Sequence, residues 1–234
     1  MTNRSRVVAG VGINDADYEV SFNTPDGKVI CPFYQTWADM LRRCYSAKTK
    51  SRSPSYQGCT VDPIWFSFSE FRKWMIQQDY KGKDLEKDIL FPGNKIYSPD
   101  TCVFVSRNIN IFVTDSGSRQ GEWPVGVHWN KEGKTFVAQC RNPFTGKAQH
   151  LGCFADPELA HAAWREHKHK IALIYADLQT DHRVAEALRT RYAPSRREAG
   201  HHRDDGEYQI VEPNRLPHGP DECAKAQLDI LSQE

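Results

Sequence analysis

Gln139 and Arg141 stand two residues apart in Thr135-Phe136-Val137-Ala138-Gln139-Cys140-Arg141, one carrying an amide fork and the other a guanidinium fork. Such forks match the donors and acceptors that base edges present in the major groove of duplex DNA. Period-two alternation puts both on one side of a strand with Val137, and Phe136, Ala138 and Cys140 on the other. His128 lies on the preceding apolar run, and Lys131, Lys134 and Lys147 lie in the flanking turns. A second chemistry belongs to Cys31, Cys44, Cys59 and Cys102, whose thiolates could hold a structural zinc. No two of them form a C-x-x-C knuckle, so small buried cysteines are the expected state and zinc the alternative. His161 and His169 share a helical face only loosely, so with His167 they are expected in solvent, with metal ligation the alternative; His201 and His202 are a weak metal spot or nothing.

The elements that must position Gln139 and Arg141 are three short strands and one helix. Pro124 to Trp129 reads as the first strand, and Gly133 in the turn after it offers the positive φ of a tight hairpin. Thr135 to Arg141 is the second strand, and Ala148 to Phe154 the third. Asp156 as N-cap, Pro157 at the first helical position and Glu158 beside the positive dipole end open the helix. Its apolar stripe is Ala160, Ala163, Trp164, His167, Ile171 and Ile174. One face of the sheet must cover that stripe, and the other is left to solvent or a partner. Both faces of the middle strand mix polar and apolar residues, so the pattern leaves open which one the helix takes.

The ordered run Gly126-Val127, Phe136 to Arg141, Leu151-Gly152-Cys153-Phe154 and Glu158 to Trp164 resembles the AP2/ERF DNA-binding domain. The resemblance implies a sheet laid in the major groove, with contact positions at Val125, His128, Asn130, Gln139, Arg141, Ala148 and His150. Val125, Ala148 and His150 replace residues of the family's usual set, so a different target or weaker contact is implied. Lys131, Lys134 and Lys147 add charge at the edges.

The first half of the chain carries other signals. Short strands are expected in 8–30, with Tyr18 to Phe22 alternating and a turn at Pro25-Asp26-Gly27. Trp37, Met40, Leu41 and Cys44 space a helix from Tyr34 to Tyr45. Ala47 to Tyr56 reads as a basic loop whose Lys48, Lys50 and Arg52 suit phosphates, as do Arg42 and Arg43. Ser67-x-x-Glu70 is a capping box with Phe71, Trp74 and Met75 on the buried side, and Ser98-Pro99 reads as another helix start. The series Trp65, Phe66, Phe68, Phe71 and Trp74 is expected in a core rather than stacked on bases.

Trp37 to Tyr45, Leu85-Glu86-Lys87-Asp88 and Asn94 to Val105 resemble phage-encoded HNH endonucleases of the homing type, in which an HNH module often precedes an AP2 domain. The resemblance implies a ββα site in which a histidine activates water, aided by a divalent ion, Mg²⁺ or Mn²⁺. It puts Glu86 at the acidic ligand position, Lys87 where the base histidine belongs, and Thr101, or Asp100 with a small shift, at the helix ligand. Asn94 falls in the intervening loop, and Asp88 is the substitute base. No histidine occurs before His128, so the histidine base is absent. Losing a general base costs on the order of 10² to 10⁴ in rate. A protonated Lys87 cannot replace it unless burial lowers its pKa.

Composition sets the frame. Hydrophobic content of 39 % with 6 Trp and 11 Phe supports compact cores. The middle of the chain is mildly basic and both ends acidic, which suits a polyanion partner. No apolar run approaches a membrane span, Met-Thr-Asn-Arg-Ser-Arg is no signal-peptide core, and seven cysteines favour a reducing cytoplasm, in a bacterial host. The expectation is an α+β protein: an N-terminal β segment (1–30), an HNH-like module (31–115), a linker (116–121), an AP2-like domain (122–178) and a polar tail (179–234) with one short helix. Its expected partner is double-stranded DNA, cut or merely bound. A protein-interaction factor, served by the acidic tail, is the remaining alternative.

Overall fold

A computed structural model describes residues 7–114 and 122–194 of the chain. Helices and small sheets mix in an α+β arrangement. The first part opens with β1 (Val7–Val8) paired to β2 (Gly12–Ile13), then the hairpin of β3 (Ser21–Thr24) and β4 (Gly27–Ile30). Helix α1 (Pro32–Tyr45) buries Trp37, Ala38, Met40, Leu41 and Cys44, the face its spacing predicts. Gly12 lets β2 lie directly on that face, because a Cβ there would overlap the side chains of Leu41 and Trp37. Trp37 Nε1 donates to the carbonyl of Trp65 at 2.7 Å, so the largest buried ring also has its polar atom satisfied.

Ser67 caps α3 (Phe68–Ile76), accepting from the Glu70 N–H, and Phe68, Phe71 and Met75 are buried. Trp74, expected on that side, is only half-buried, while Phe68 is fully covered. The aromatic series is therefore core packing, with Trp65, Phe71, Trp74 and Phe104 in mutual ring contact. Two expectations fail here. Ala47 to Tyr56 is not a loop: Ser46 accepts from Thr49 N and starts α2 (Ala47–Arg52), followed by a single 3-10 turn. Ser98 does not open a helix either. Its hydroxyl meets Thr101 Oγ1 at 2.9 Å in a local turn, and the apolar run beyond is taken by a sheet.

That sheet pairs β6 (Lys83–Glu86) antiparallel to β8 (Val103–Ser106). Elsewhere β5 (Thr60–Val61) pairs parallel to β7 (Ile96–Tyr97). Ser106 then caps α4 (Arg107–Val113), which makes β6, β8 and α4 a ββα unit.

Beyond the undescribed segment, β9 (Val127–Asn130), β10 (Thr135–Arg141) and β11 (Ala148–Phe154) form an antiparallel sheet with β10 central. The left-handed residue of the first hairpin is Lys134 (φ 49°) rather than Gly133. A bulge at Leu151 shifts the register between Ala138 and Gln139. Asp156 caps α5 (Pro157–Asp177) through hydrogen bonds from Glu158 N and Leu159 N. Its buried stripe runs through Ala160, Trp164, Lys168, Ile171, Ala172 and Tyr175, so Lys168 and Tyr175 replace the expected His167 and Ile174. Asp181 caps α6 (His182–Arg191), the short helix expected beyond Tyr175.

Ala138 and Cys140 are buried, and Cys140 shares a core with Trp164, so this set faces α5. The same core takes Ile109, Phe112 and Val113 from α4 and Val184, Leu188 and Tyr192 from the α6 region. Lys168 lies inside it, donating to the Phe112 carbonyl, with its ammonium 3.9 Å from the Phe112 ring and 4.8 Å from the Tyr192 ring. The expected linker at 116–121 and the tail with His201 and His202 lie outside the described residues. Among the described residues no helix is long and apolar enough to cross a membrane.

Candidate nucleic-acid interface and the Glu86 to Asp88 turn

Because Ala138 and Cys140 are small, α5 sits close to the sheet, and Gly126 lies against the Trp164 indole. The opposite face therefore carries the polar set. Gln139 and Arg141 are exposed, Gln139 pairs across the ladder with His150, and His128 pairs across Val137. His128, Ala148, Gln149 and His150 are also exposed, and Val137 fills the centre between His128 and Cys153. Cys153 Sγ lies 3.8 Å from His150 Nε2.

The turns at the ends are built by asparagines. Asn130 Oδ1 accepts from Glu132 N (3.1 Å) and Gly133 N (3.3 Å), and Asn142 Oδ1 accepts from Phe144 N and Thr145 N. Asn130 thus spends its oxygen on the hairpin, and only its amide donors remain for a ligand. Lys131, Lys134 and Lys147 are exposed on those turns. Val125 departs from the expected contact set: it packs against the core, and its carbonyl meets His161 Nδ1 at 2.9 Å. His161 in turn stacks on Trp164, 5.3 Å between centroids, so it is not a solvated side chain. His167 is also partly covered, and burial, with Lys170 nearby, holds its pKa below the ordinary value.

At the end of β6 the residues of the second resemblance hold one another. Glu86 Oε1 accepts from the backbone N–H groups of Lys87 (2.8 Å) and Asp88 (3.2 Å). The Lys87 ammonium, in a residue 5 % exposed, lies 2.8 Å from Asp88 Oδ2. Asn94 Nδ2 donates to the carbonyls of Lys87 and Ile96, each at 2.7 Å, and ties the loop to its own return. Burial raises the Glu86 pKa, and the Asp88 charge adds to the rise. Burial opposes ionisation of Asp88 as well, yet hydrogen bonds from Lys87 and Glu86 hold it below the usual range. For Lys87 burial works downward, but Asp88 outweighs it and the pKa ends above the ordinary lysine value. The ion pair with Asp88 thus favours the protonated form of Lys87, against the burial that would activate it as a base.

The other ligand positions are not brought to Glu86. Thr101 Oγ1 donates to the Ile96 carbonyl at 2.8 Å within its turn, and Asp100 is exposed. Among the described residues no group of three or more His, Cys, Asp or Glu is gathered in a way that could hold a metal ion. Cys44, Cys59 and Cys102 are buried in one core with Cys31 packed against it; Cys31 Sγ meets the Tyr18 hydroxyl at 3.3 Å, and burial pushes the Cys44 and Cys102 thiols up to about 12.

Asn110 and Arg191 were not singled out by the sequence, and Arg43, expected to suit phosphates, has a further role. Asn110 on α4 donates to Asp84 on β6 at 3.2 Å and clamps the ββα unit. Arg43 sits over the Tyr56 ring at 5.8 Å and bonds to buried Tyr97, which keeps its guanidinium charged against the pull of burial. Arg191 on α6 favours the Asp88 carboxylate while donating to the Val113 carbonyl at 3.0 Å. Only Lys168 left a trace in the sequence, a four-residue rhythm from Ala160 through Trp164 to Ala172. Compared with protein-family models, with curated proteins and with solved structures, the chain matches none.

Proposed function

We propose that this protein binds duplex DNA by laying the open face of β9, β10 and β11 in the major groove. The observation that carries this reading is the exposure of Gln139, Arg141, His128 and His150 together on the face opposite α5. The major groove, about 12 Å wide, admits β-structure, and Arg and Gln forks read guanine and adenine edges there. Exposed Lys131, Lys134 and Lys147 supply backbone charge contacts at the ends. The likeness of this segment to the AP2/ERF domain supports the same conclusion. Arg141→Ala should weaken specific binding by about 1–3 kcal/mol, roughly 5- to 150-fold, in a gel-shift series. Unchanged affinity removes the assignment.

Binding without cutting is the form the Glu86 to Asp88 turn supports. One oxygen of each carboxylate is engaged within the turn: Glu86 Oε1 by two backbone donors, Asp88 Oδ2 by a buried ammonium. The Lys87 ammonium offsets the charge of Asp88, which weakens the pull of this turn on Mg²⁺ or Mn²⁺. The ββα arrangement of β6, β8 and α4 favours the second reading, a slow HNH-type nuclease. Supercoiled plasmid with Mg²⁺ or Mn²⁺ separates the two. Cleavage that disappears in both Glu86→Ala and Asp88→Ala would establish the enzyme and overturn the binding-only reading.

A further inference from the structure

The surface formed by α2 and its surroundings has no role in the fold and carries charge of one sign. Between Asp39 and Asp62 the chain holds no acidic residue, yet it holds Arg42, Arg43, Lys48, Lys50 and Arg52. Helix α2 is AKTKSR, and none of its residues is buried. A six-residue helix is well below the length that is stable from propensity alone, so Ser46 capping and its junction with α1 must hold it. Core packing therefore does not explain its composition.

Nor do ion pairs. Among the described residues no carboxylate lies within salt-bridge distance of Lys48, Lys50, Arg52 or Lys95, whereas Arg42 is paired with Asp39 at 2.7 Å. Lys95 is brought to the same surface, because its ammonium donates to the Ser55 carbonyl at 2.9 Å in the turn just after α2. Arg43 packs over Tyr56 in that turn and is fixed from below by Tyr97. Ser51, Ser53 and Ser55 add short polar side chains between the cations. Lysines and an arginine with no described carboxylate partner, on an exposed surface with serine hydroxyls between them, suit a line of phosphates. They do not suit base edges, which need a protruding fork in a groove.

We infer that α2 and the turn after it form a second contact with DNA, which grips the phosphate backbone without regard to sequence. Lys48, Lys50 and Arg52 make the contact, with Lys95 at its margin. This inference rests on the proposed DNA-binding function and extends it: the sheet reads sequence, and α2 supplies sequence-independent charge.

The test is the full-length triple variant Lys48→Gln, Lys50→Gln, Arg52→Gln, with Arg141→Ala alongside it. Glutamine keeps helix propensity close to that of lysine and arginine, and no buried residue is touched, so the thermal midpoint should not move. Affinity for a duplex is measured across a salt series. The triple variant should lose about tenfold or more near 0.1 M salt, equally for all sequences, and its log–log salt slope should fall by about 2 to 3. Arg141→Ala should instead lose discrimination between sequences while keeping most of its slope. A triple variant with the affinity and slope of the parent protein overturns the inference and leaves the sheet reading standing. Weakened binding with an unchanged slope overturns it too. If the parent protein binds no duplex at all, the proposed function fails and this inference with it.

Discussion

Replacing Gly126 by alanine tests how the sheet and α5 are joined. Gly126 has φ 83°, and a Cβ there would lie well inside 3.0 Å of Cγ, Cδ1 and Nε1 of Trp164. The two penalties are separable. A left-handed conformation costs an L-residue about 1–2 kcal/mol. The steric overlap adds about 1–3 kcal/mol, because Trp164 is buried and must shift against its neighbours. Together they come to about 2–5 kcal/mol, a large fraction of the total stability of a domain this size. Gly58→Ala is the control: its φ is 74°, but a Cβ there meets nothing within 4 Å, so it should lose only the backbone part. Urea unfolding followed by tryptophan fluorescence and by far-UV circular dichroism measures both variants. A Gly126→Ala loss no greater than that of Gly58→Ala would refute the close packing of Trp164 on the strand entry.

Other outcomes follow from the shared core and its ionisable groups. Lys168→Met keeps the apolar stem but leaves the buried Phe112 carbonyl without its donor, so unfolding free energy should drop by about 1–3 kcal/mol. A change within error in denaturant titration removes that hydrogen bond from the core. Asp88→Asn strips the counter-charge from buried Lys87 and should destabilise by about 1–3 kcal/mol at pH 7, read from the chemical unfolding midpoint. His167 has a folded pKa below 6.5, so the unfolded chain takes up its proton first on acidification. Its stabilising contribution is present above pH 6.5 and is lost as pH falls through the folded value. His167→Gln should flatten this part of the stability profile below pH 7, and an unchanged slope would count against its burial.

The parts of the fold that could be read ahead were those with long, unambiguous local patterns. Thr135 to Arg141 alternates and forms β10, and Ala148 to Phe154, the strand expected to close the sheet, forms β11, both with those bounds. Asp156-Pro157 opens a helix where capping chemistry says it should. Ser67 with Glu70 worked equally well, whereas Ser98 did not, because a serine can satisfy a local turn as readily as a helix end. Which sheet face α5 covers could not be read, since each face carried both kinds of residue. Tertiary packing decided it, through the small side chains of Ala138 and Cys140. Lys168 was missed because a lysine on a helix is ordinarily placed in water, and only the convergence of Phe112, Trp164 and Tyr192 makes an interior site for it. At the Glu86 turn the sequence shows which residues are adjacent, but not that Lys87 folds back onto Asp88.

The placement of Phe112 constrains how such a chain can be taken apart. Its ring sits against Tyr175 and Tyr192, from beyond the segment at 116–121, while α4 itself is clamped to β6 through Asn110. A fragment beginning at Glu122 would carry an oily slot where that ring belongs, and one ending at Thr114 would present a bare helix. Cutting and grafting at this junction, natural or engineered, should therefore give sticky, poorly behaved pieces unless α4 travels with the sheet.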